Sequence, residues 1–162
     1  MTVAGANGIG AYPCVRFAPT CNIVVQGTAM AANDVVQVVD SALCSAATTT
    51  AQSVNFVYPR AGVSVNSGPT QKTFALGTGS LQGVFRACYC PSYNGCDDNA
   101  DFTHQAGFIT VRGPTGSENQ ACIAGVQCTL GSFTGQTLSS DDRVTESASC
   151  CFFLQFEANS FN

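Results

Sequence analysis

The chain has 162 residues, with ten Cys, one Lys, five Arg, ten Asp or Glu and no Trp, giving a formal net charge of -4 and a pI near 4.6. That length serves one domain, or one plus part of another. With only 10% charged residues, against about 25% in ordinary soluble proteins, the surface falls to Ser, Thr, Asn, Gln and Gly; six dispersed basic residues in an acidic chain argue against DNA or RNA as partner.

Residues 1–11, Met-Thr-Val-Ala-Gly-Ala-Asn-Gly-Ile-Gly-Ala, are small and uncharged and read as an extended N-terminal arm. No charged n-region followed by an apolar stretch opens the chain, so it reads as a mature or processed product, and no run of about 20 apolar residues exists to span a membrane. Beyond the arm the pattern is that of strands: 16 Val and 11 Phe against six Leu, in short apolar runs bounded by Gly, Pro, Asn or Ser. Strands are predicted over residues 21–27, 34–39, 54–58, 73–76, 83–90, 107–112, 127–133 and 151–157. In the last, Phe152, Leu154 and Phe156 alternate with Phe153, Gln155 and Glu157, as in a half-buried strand. Residues 28–47 could compete as helix, but the run Val35, Val36, Val38, Val39 opposes it. Strands every ten or so residues, with turn signals between them, indicate an all-β antiparallel sandwich.

The chain also repeats itself. A shift of 108 residues places Cys14 on Cys122, Gly27 on Gly135, Met30 on Leu138, Asp34 on Asp142 and Val36 on Val144. The expected organisation is therefore an arm over 1–11, a complete Cys-rich β-sandwich unit over 12–114, and a partial second β unit over 115–162, joined at a turn-rich stretch near Gly113 and Pro114. Half a sandwich leaves apolar faces and strand edges uncovered, a template for pairing with another chain.

The order Val84-Phe-Arg-Ala-Cys88-Tyr-Cys90, Cys96, Asp101-Phe102-Thr103, then Ala106-Gly107-Phe-Ile-Thr-Val111-Arg-Gly113-Pro114 resembles the Cys-rich repeat of very large secreted or surface proteins of protists, dinoflagellates and related alveolates above all. The resemblance covers residues 14–114 and, in part, 122–144. The chain departs from it in Tyr89, where Trp is common, and in the adjacent Cys150 and Cys151. It implies an extracellular, immunoglobulin-like β module and no catalytic activity.

Ten Cys and one His would be an odd inventory for a reducing compartment, so disulfides and an extracellular, cell-surface or shed-fibre location are expected. Cys14, Cys21, Cys44, Cys88, Cys90 and Cys96 fall in the first unit and Cys122, Cys128, Cys150 and Cys151 in the second, an even count in each. On a strand Cys88 and Cys90 share a face and need different partners; either one with Cys96 closes the loop between them, and the remaining connectivity stays open. Zinc is a poor alternative, because Cys-x-Cys and Cys-Cys with one distant His lack paired knuckles.

Residues 97–101, Asp-Asp-Asn-Ala-Asp, begin like an EF-hand loop but carry Phe102 where Gly is needed and Phe108 where Glu is needed. A polar loop with an Asp capping a turn is the expected use; Asp97, Asn99 and Asp101 are retained only as candidates for a low-affinity Ca²⁺ site. His104 is the single imidazole, and no nucleophile elbow, phosphate loop or metalloprotease motif accompanies it, so no enzyme activity and no cofactor are expected. No Asn stands in Asn-x-Ser/Thr; Thr48, Thr49 and Thr50 are candidates for O-linked sugars.

The function expected from these features is that of a secreted structural subunit, its partner another copy of itself, assembling head to tail into a fibre or coat by strand complementation. Thr2, Val3 and Ile9 of the arm and Phe152, Leu154 and Phe156 of the second unit are the candidate assembly residues. Two alternatives stand beside it: a lectin or adhesin that binds glycans through Tyr89, Tyr93, Asn94 and residues 97–101, and a fragment of a long extracellular repeat protein.

Overall fold

The structure is a computed structural model and describes residues 4–40, 43–44, 53, 55–115, 127, 132–140, 142–145 and 155–157. Eight strands build the main sheet: β1 (Gly5–Ala6), β2 (Gly10–Val15), β3 (Asn22–Thr28), β4 (Val35–Val39), β5 (Arg60–Asn66), β6 (Gln71–Ala75), β7 (Gly83–Cys90) and β8 (His104–Pro114). A short β9 (Gly135–Gln136) attaches to the end of β8, while β10 (Arg143–Thr145) and β11 (Gln155–Glu157) form a separate antiparallel pair. No α-helix occurs among the described residues, and none is long and apolar enough to cross a membrane.

The strand order is β1-β3-β6-β5-β4-β7-β8-β2, and the sheet curls into a half-barrel. All neighbours are antiparallel except β2, which runs parallel to β8 with Cys14 opposite Val111. Two features bend the sheet. β5 pairs with β4 through Arg60, Ala61 and Gly62 and then with β6 from Val63 to Asn66, with an irregularity between Val63 and Val65. β1 and β2 lie at opposite ends of the strand order although only residues 7–9 separate them, so this crossover spans from one edge of the curl to the other.

Alternation explains β3 and β6. Ile23, Val25, Lys72 and Phe74 point inward, and their neighbours in sequence are exposed or half-buried. Ile23, Val25 and Phe74 join Val36, Val38, Phe85, Tyr89, Ile109 and Val111 in the main core, where Phe56 packs edge-to-face on Phe85 with ring centroids 5.3 Å apart. β4 and the end of β7 do not alternate, because both faces are covered. On their outer side Val39, Cys44, Cys88, Cys90, Cys96 and Phe102 form a second, smaller core under the loops around residues 91–103.

The strands predicted at 21–27, 34–39, 73–76, 83–90 and 107–112 are β3, β4, β6, β7 and β8, and residues 28–47 supply β4 with no helix among their described members. Residues 55–58 are not a strand: Phe56 makes one isolated bridge to Gly79 and otherwise serves as a core plug, and Pro59 follows with no N–H for a ladder. Residues 151–157 contain β11, and residues 128–131 of the predicted strand 127–133 lie outside the described residues. Gly5 and Ala6 pair with β3, and residues 10–11 pair with β8, within the chain's own sheet. Gly113 and Pro114 are not a turn, since β8 runs straight through them into its pairing with β9.

Candidate assembly site at the joint between the repeats

The pairing at the two ends of the first unit is the same pairing, displaced by 108 residues. Gly5 faces Thr28 and Ala6 faces Gly27; Gly113 faces Gln136 and Pro114 faces Gly135. The next backbone bond repeats as well, from Asn7 N–H to the Gln26 carbonyl at 2.9 Å and from Thr115 N–H to the Thr134 carbonyl at 2.7 Å. Gly5 and Gly113 both take φ 148°, and a Cβ on Gly27 would collide with the Gly5 carbonyl as one on Gly135 would with that of Gly113. After the glycine, Ala29 and Thr137 adopt the left-handed conformation at φ 51° and 54°. Asp34 then accepts from Ala31 N–H at 2.6 Å, and Asp142 from Ser139 N–H at 2.8 Å. At these positions the 108-residue repeat read in the sequence is thus a repeat of backbone conformation.

Arg16 fastens this joint to the first unit. Its Nε donates to the Ser80 carbonyl and an Nη to the Pro114 carbonyl, both at 2.7 Å, and its backbone N–H binds the Arg112 carbonyl at 2.8 Å. The guanidinium also lies 4.4 Å from the centre of the exposed Phe17 ring.

At the opposite edge, β1 covers only the Gly27 and Thr28 end of the seven-residue β3. Beside this edge lies a cleft of about 300 Å³, lined by residues 7–12, Val24, Gln26 and Ala106. Ile9 is 63% exposed and Val24 40% exposed on its rim. Tyr12 donates to the Ala106 carbonyl at 3.1 Å, and burial raises the pKa of its hydroxyl. Of the other assembly candidates, Phe156 sits in β11 opposite Val144, while Thr2, Val3, Phe152 and Leu154 lie outside the described residues.

The cysteines of the first unit close three bridges: Cys14 to Cys21, Cys44 to Cys88, and Cys90 to Cys96. Cys88 and Cys90 do take different partners, and Cys90 is the one that closes the short loop. Cys122, Cys128, Cys150 and Cys151 lie outside the described residues, as do Thr48, Thr49 and Thr50.

Around residues 91–103 the sugar and metal candidates differ in burial and in partners. Tyr89, a candidate sugar contact, is fully buried: its hydroxyl donates to Asp34, whose other oxygen accepts from Ser92 N–H at 2.9 Å. Burial and the Asp34 carboxylate together push its pKa far above that of a free tyrosine. Tyr93 is 69% exposed. The Asn99 side-chain oxygen accepts from Arg60 at 2.8 Å and from Gln37 at 3.1 Å. Asp98 and Asp101 cap each other's backbone across the 3-10 turn Asn99–Asp101. No group of three metal-binding side chains occurs among the described residues. His104 Nδ1 lies 3.0 Å from Thr103 Oγ1 on the exposed start of β8.

Sequence reasoning missed the Arg16 clamp, the Arg60–Gln37–Asn99 network and the pairing of Gly5 and Gly113. For the last a signal existed. The 108-residue shift, carried back past Cys14, puts Thr2, Val3 and Gly5 on Thr110, Val111 and Gly113. No protein-family model, no curated protein and no solved structure matches this chain.

Proposed function

We propose that the chain is a secreted structural protein, a subunit that assembles head to tail into an extracellular fibre or surface coat by strand complementation. The observation that carries this reading is the joint: β8 passes without a linker from the first unit into the second, and the chain's own β1 stands where that passage ends. A module whose last strand becomes its successor's first strand is suited to being strung in a row. Among the described residues β10 and β11 form a two-stranded pair apart from the main sheet, and strand edges are templates on which another chain can pair.

Three disulfides support an oxidising, extracellular setting. Low charge suits a surface that is packed against neighbours. An immunoglobulin-like arrangement, of the kind the Cys-rich protist repeat implies, is supported by the strand order, with β1, β3 and β6 on one side of the curl and β4, β7, β8 and β2 on the other, and by an N-terminal segment that changes edges. The test is sedimentation and electron microscopy of the oxidised protein over a range of concentrations. Filaments with a regular axial repeat are expected; a chain that stays monomeric throughout would sink the reading.

A further inference from the structure

We propose that β1 is exchanged between copies: β1 and Asn7 of one chain leave their own β3 and pair with β3 of the next copy, which hands its own β1 onward. The inference rests on the reading of the chain as a self-assembling subunit and names the strand that does the complementing.

The strand is held by few groups. Gly5 and Ala6 pair with Thr28 and Gly27, Asn7 N–H binds the Gln26 carbonyl at 2.9 Å, and the Asn7 side chain exchanges hydrogen bonds with Thr28 Oγ1 at 2.9 and 3.0 Å. The one apolar side chain among them, Ala6, is small and only partly buried against the main core. Each of these bonds is remade when an identical β1 lies on an identical β3, so the hinge and the protein concentration decide which form prevails.

The hinge is short and bent. Gly8 and Ile9 carry the chain from the β3 edge to β2, at the other end of the strand order. In making this crossover Gly8 takes φ 85°, and Ile9 is left 63% exposed. A short hinge held in such a bend favours passing the terminal strand to a neighbour, because an extended hinge releases the bend.

The acceptor edge is unguarded. β1 covers only the Gly27 and Thr28 end of β3, and β3 contains neither Pro nor a charged residue to repel a second chain. Residues 1–15 and 21–33 carry no charged side chain, so two copies, each with a net charge of -4, meet here without local repulsion. The matching edge 108 residues on is already filled by a strand rooted elsewhere: Gly135 and Gln136 pair with the last residues of β8, whose other residues lie between β7 and β2. Exchange of β1 repeats that arrangement between chains. Donor and acceptor are different surfaces, so the contact is heterologous and continues from copy to copy.

The experiment uses the full chain with Asn7→Cys and Thr28→Cys, two positions in hydrogen-bond contact across the pairing of β1 with β3. Isotopically labelled and unlabelled copies of this variant are assembled together and then oxidised. A series of covalently joined copies is expected, with bridges between positions 7 and 28 linking labelled to unlabelled chains; bridges closed within single chains, or a series that stops at two copies, overturn the proposal. The same variant oxidised as a dilute monomer is locked in the closed form and should not assemble. The hinge gives a second test free of added thiols. A side chain at position 8 has open space around it but is strained at this φ and relaxed in an extended hinge, so Gly8→Val should assemble at about tenfold lower concentration, and a Gly-Gly insertion after Gly8 should require a higher one. Hinge variants that assemble alike overturn the proposal. If the locked chain assembles as well as the unsubstituted one, the self-assembly reading stands and this contact falls; if the unsubstituted chain never assembles, both fall.

Discussion

Asp34 and Asp142, 108 residues apart, each accept a hydrogen bond from the backbone N–H three residues earlier, at 2.6 Å from Ala31 and 2.8 Å from Ser139. Each follows a residue in the left-handed conformation, Ala29 or Thr137, so one turn is built twice. The two carboxylates are not equally committed. Asp34 is buried and also holds Ser92 N–H and the Tyr89 hydroxyl, while Asp142 is only half-buried. Asp34→Ala should cost about 3 kcal/mol or more, since it strands buried donors, and Asp142→Ala about 1 kcal/mol. Urea unfolding of the two variants measures both; equal losses would contradict this account.

The Tyr89 hydroxyl sets a pH limit. Burial and Asp34 hold its pKa above the value of about 10 that it has in the unfolded chain, and burial does the same for Tyr12. Above that pH the unfolded chain releases these protons while the native one keeps them. The stability they contribute is fully present below about pH 10 and falls as pH rises beyond it, by up to about 1.4 kcal/mol per pH unit for Tyr89. Tyr89→Phe should lower stability at neutral pH and flatten the alkaline decline. A decline equally steep in the variant would show that other groups cause it.

The bridges differ in what they restrain. Cys44 and Cys88 are 44 residues apart and belong to the outer core; Cys90 and Cys96 are six apart. Loop-closure entropy gives about 4 kcal/mol for the first and about 2 kcal/mol for the second. Paired Cys→Ala substitutions, compared by thermal unfolding, should therefore rank Cys44 with Cys88 as the greater loss.

Arg60 decides the fate of the acidic loop. It binds Gln37, Asn99 and the Asp97 carbonyl and stacks 4.8 Å from the Phe102 ring centre, so calcium has no open oxygen cage to enter. Millimolar Ca²⁺ should leave the melting temperature unchanged. Arg60→Met should cost about 2 kcal/mol by leaving the buried Gln37 amide short of a partner. A calcium-dependent rise in melting temperature would overturn this reading of the loop.

What was legible in the sequence tracks what burial requires locally. β3, β6, β7 and β8 show because Val, Ile, Phe and Cys must face a core at a period of two, and Cys88 and Cys90 show their need for different partners for the same reason. β5 did not show, since Gly62, Ser64, Val65 and Asn66 are exposed and its place is set by pairing with β4 and β6. β1 and β2 were hidden for a similar reason: small residues lie at the edges of the curl through backbone pairing, with little apolar burial to announce them. Tyr89 faces the main core from β7, and the Asp34 carboxylate that takes its hydroxyl comes from distant sequence, so its neighbours in sequence do not show its burial. The joint was half legible, its period visible and its extended geometry at Gly113 and Pro114 masked by residues that usually turn.

The chain's single lysine offers a probe of its own opening. Lys72 points inward from β6, opposite Val25 and Asn66, with 2% of its surface exposed. Its Nζ donates to the Asn66 side chain and the Gly68 carbonyl, closing the turn between β5 and β6 from beneath. An amine so held reacts only when the turn or the whole unit opens. Acylation of Lys72 should be slower in the native protein than in urea by on the order of a hundredfold or more, as for an opening that costs about 3 kcal/mol. Lys72→Met keeps the buried aliphatic stem but leaves the two oxygens without their donor, at a cost of about 1 to 2 kcal/mol. Native labelling as fast as in the unfolded chain would mean that this turn is open in solution and that the lysine does not hold it.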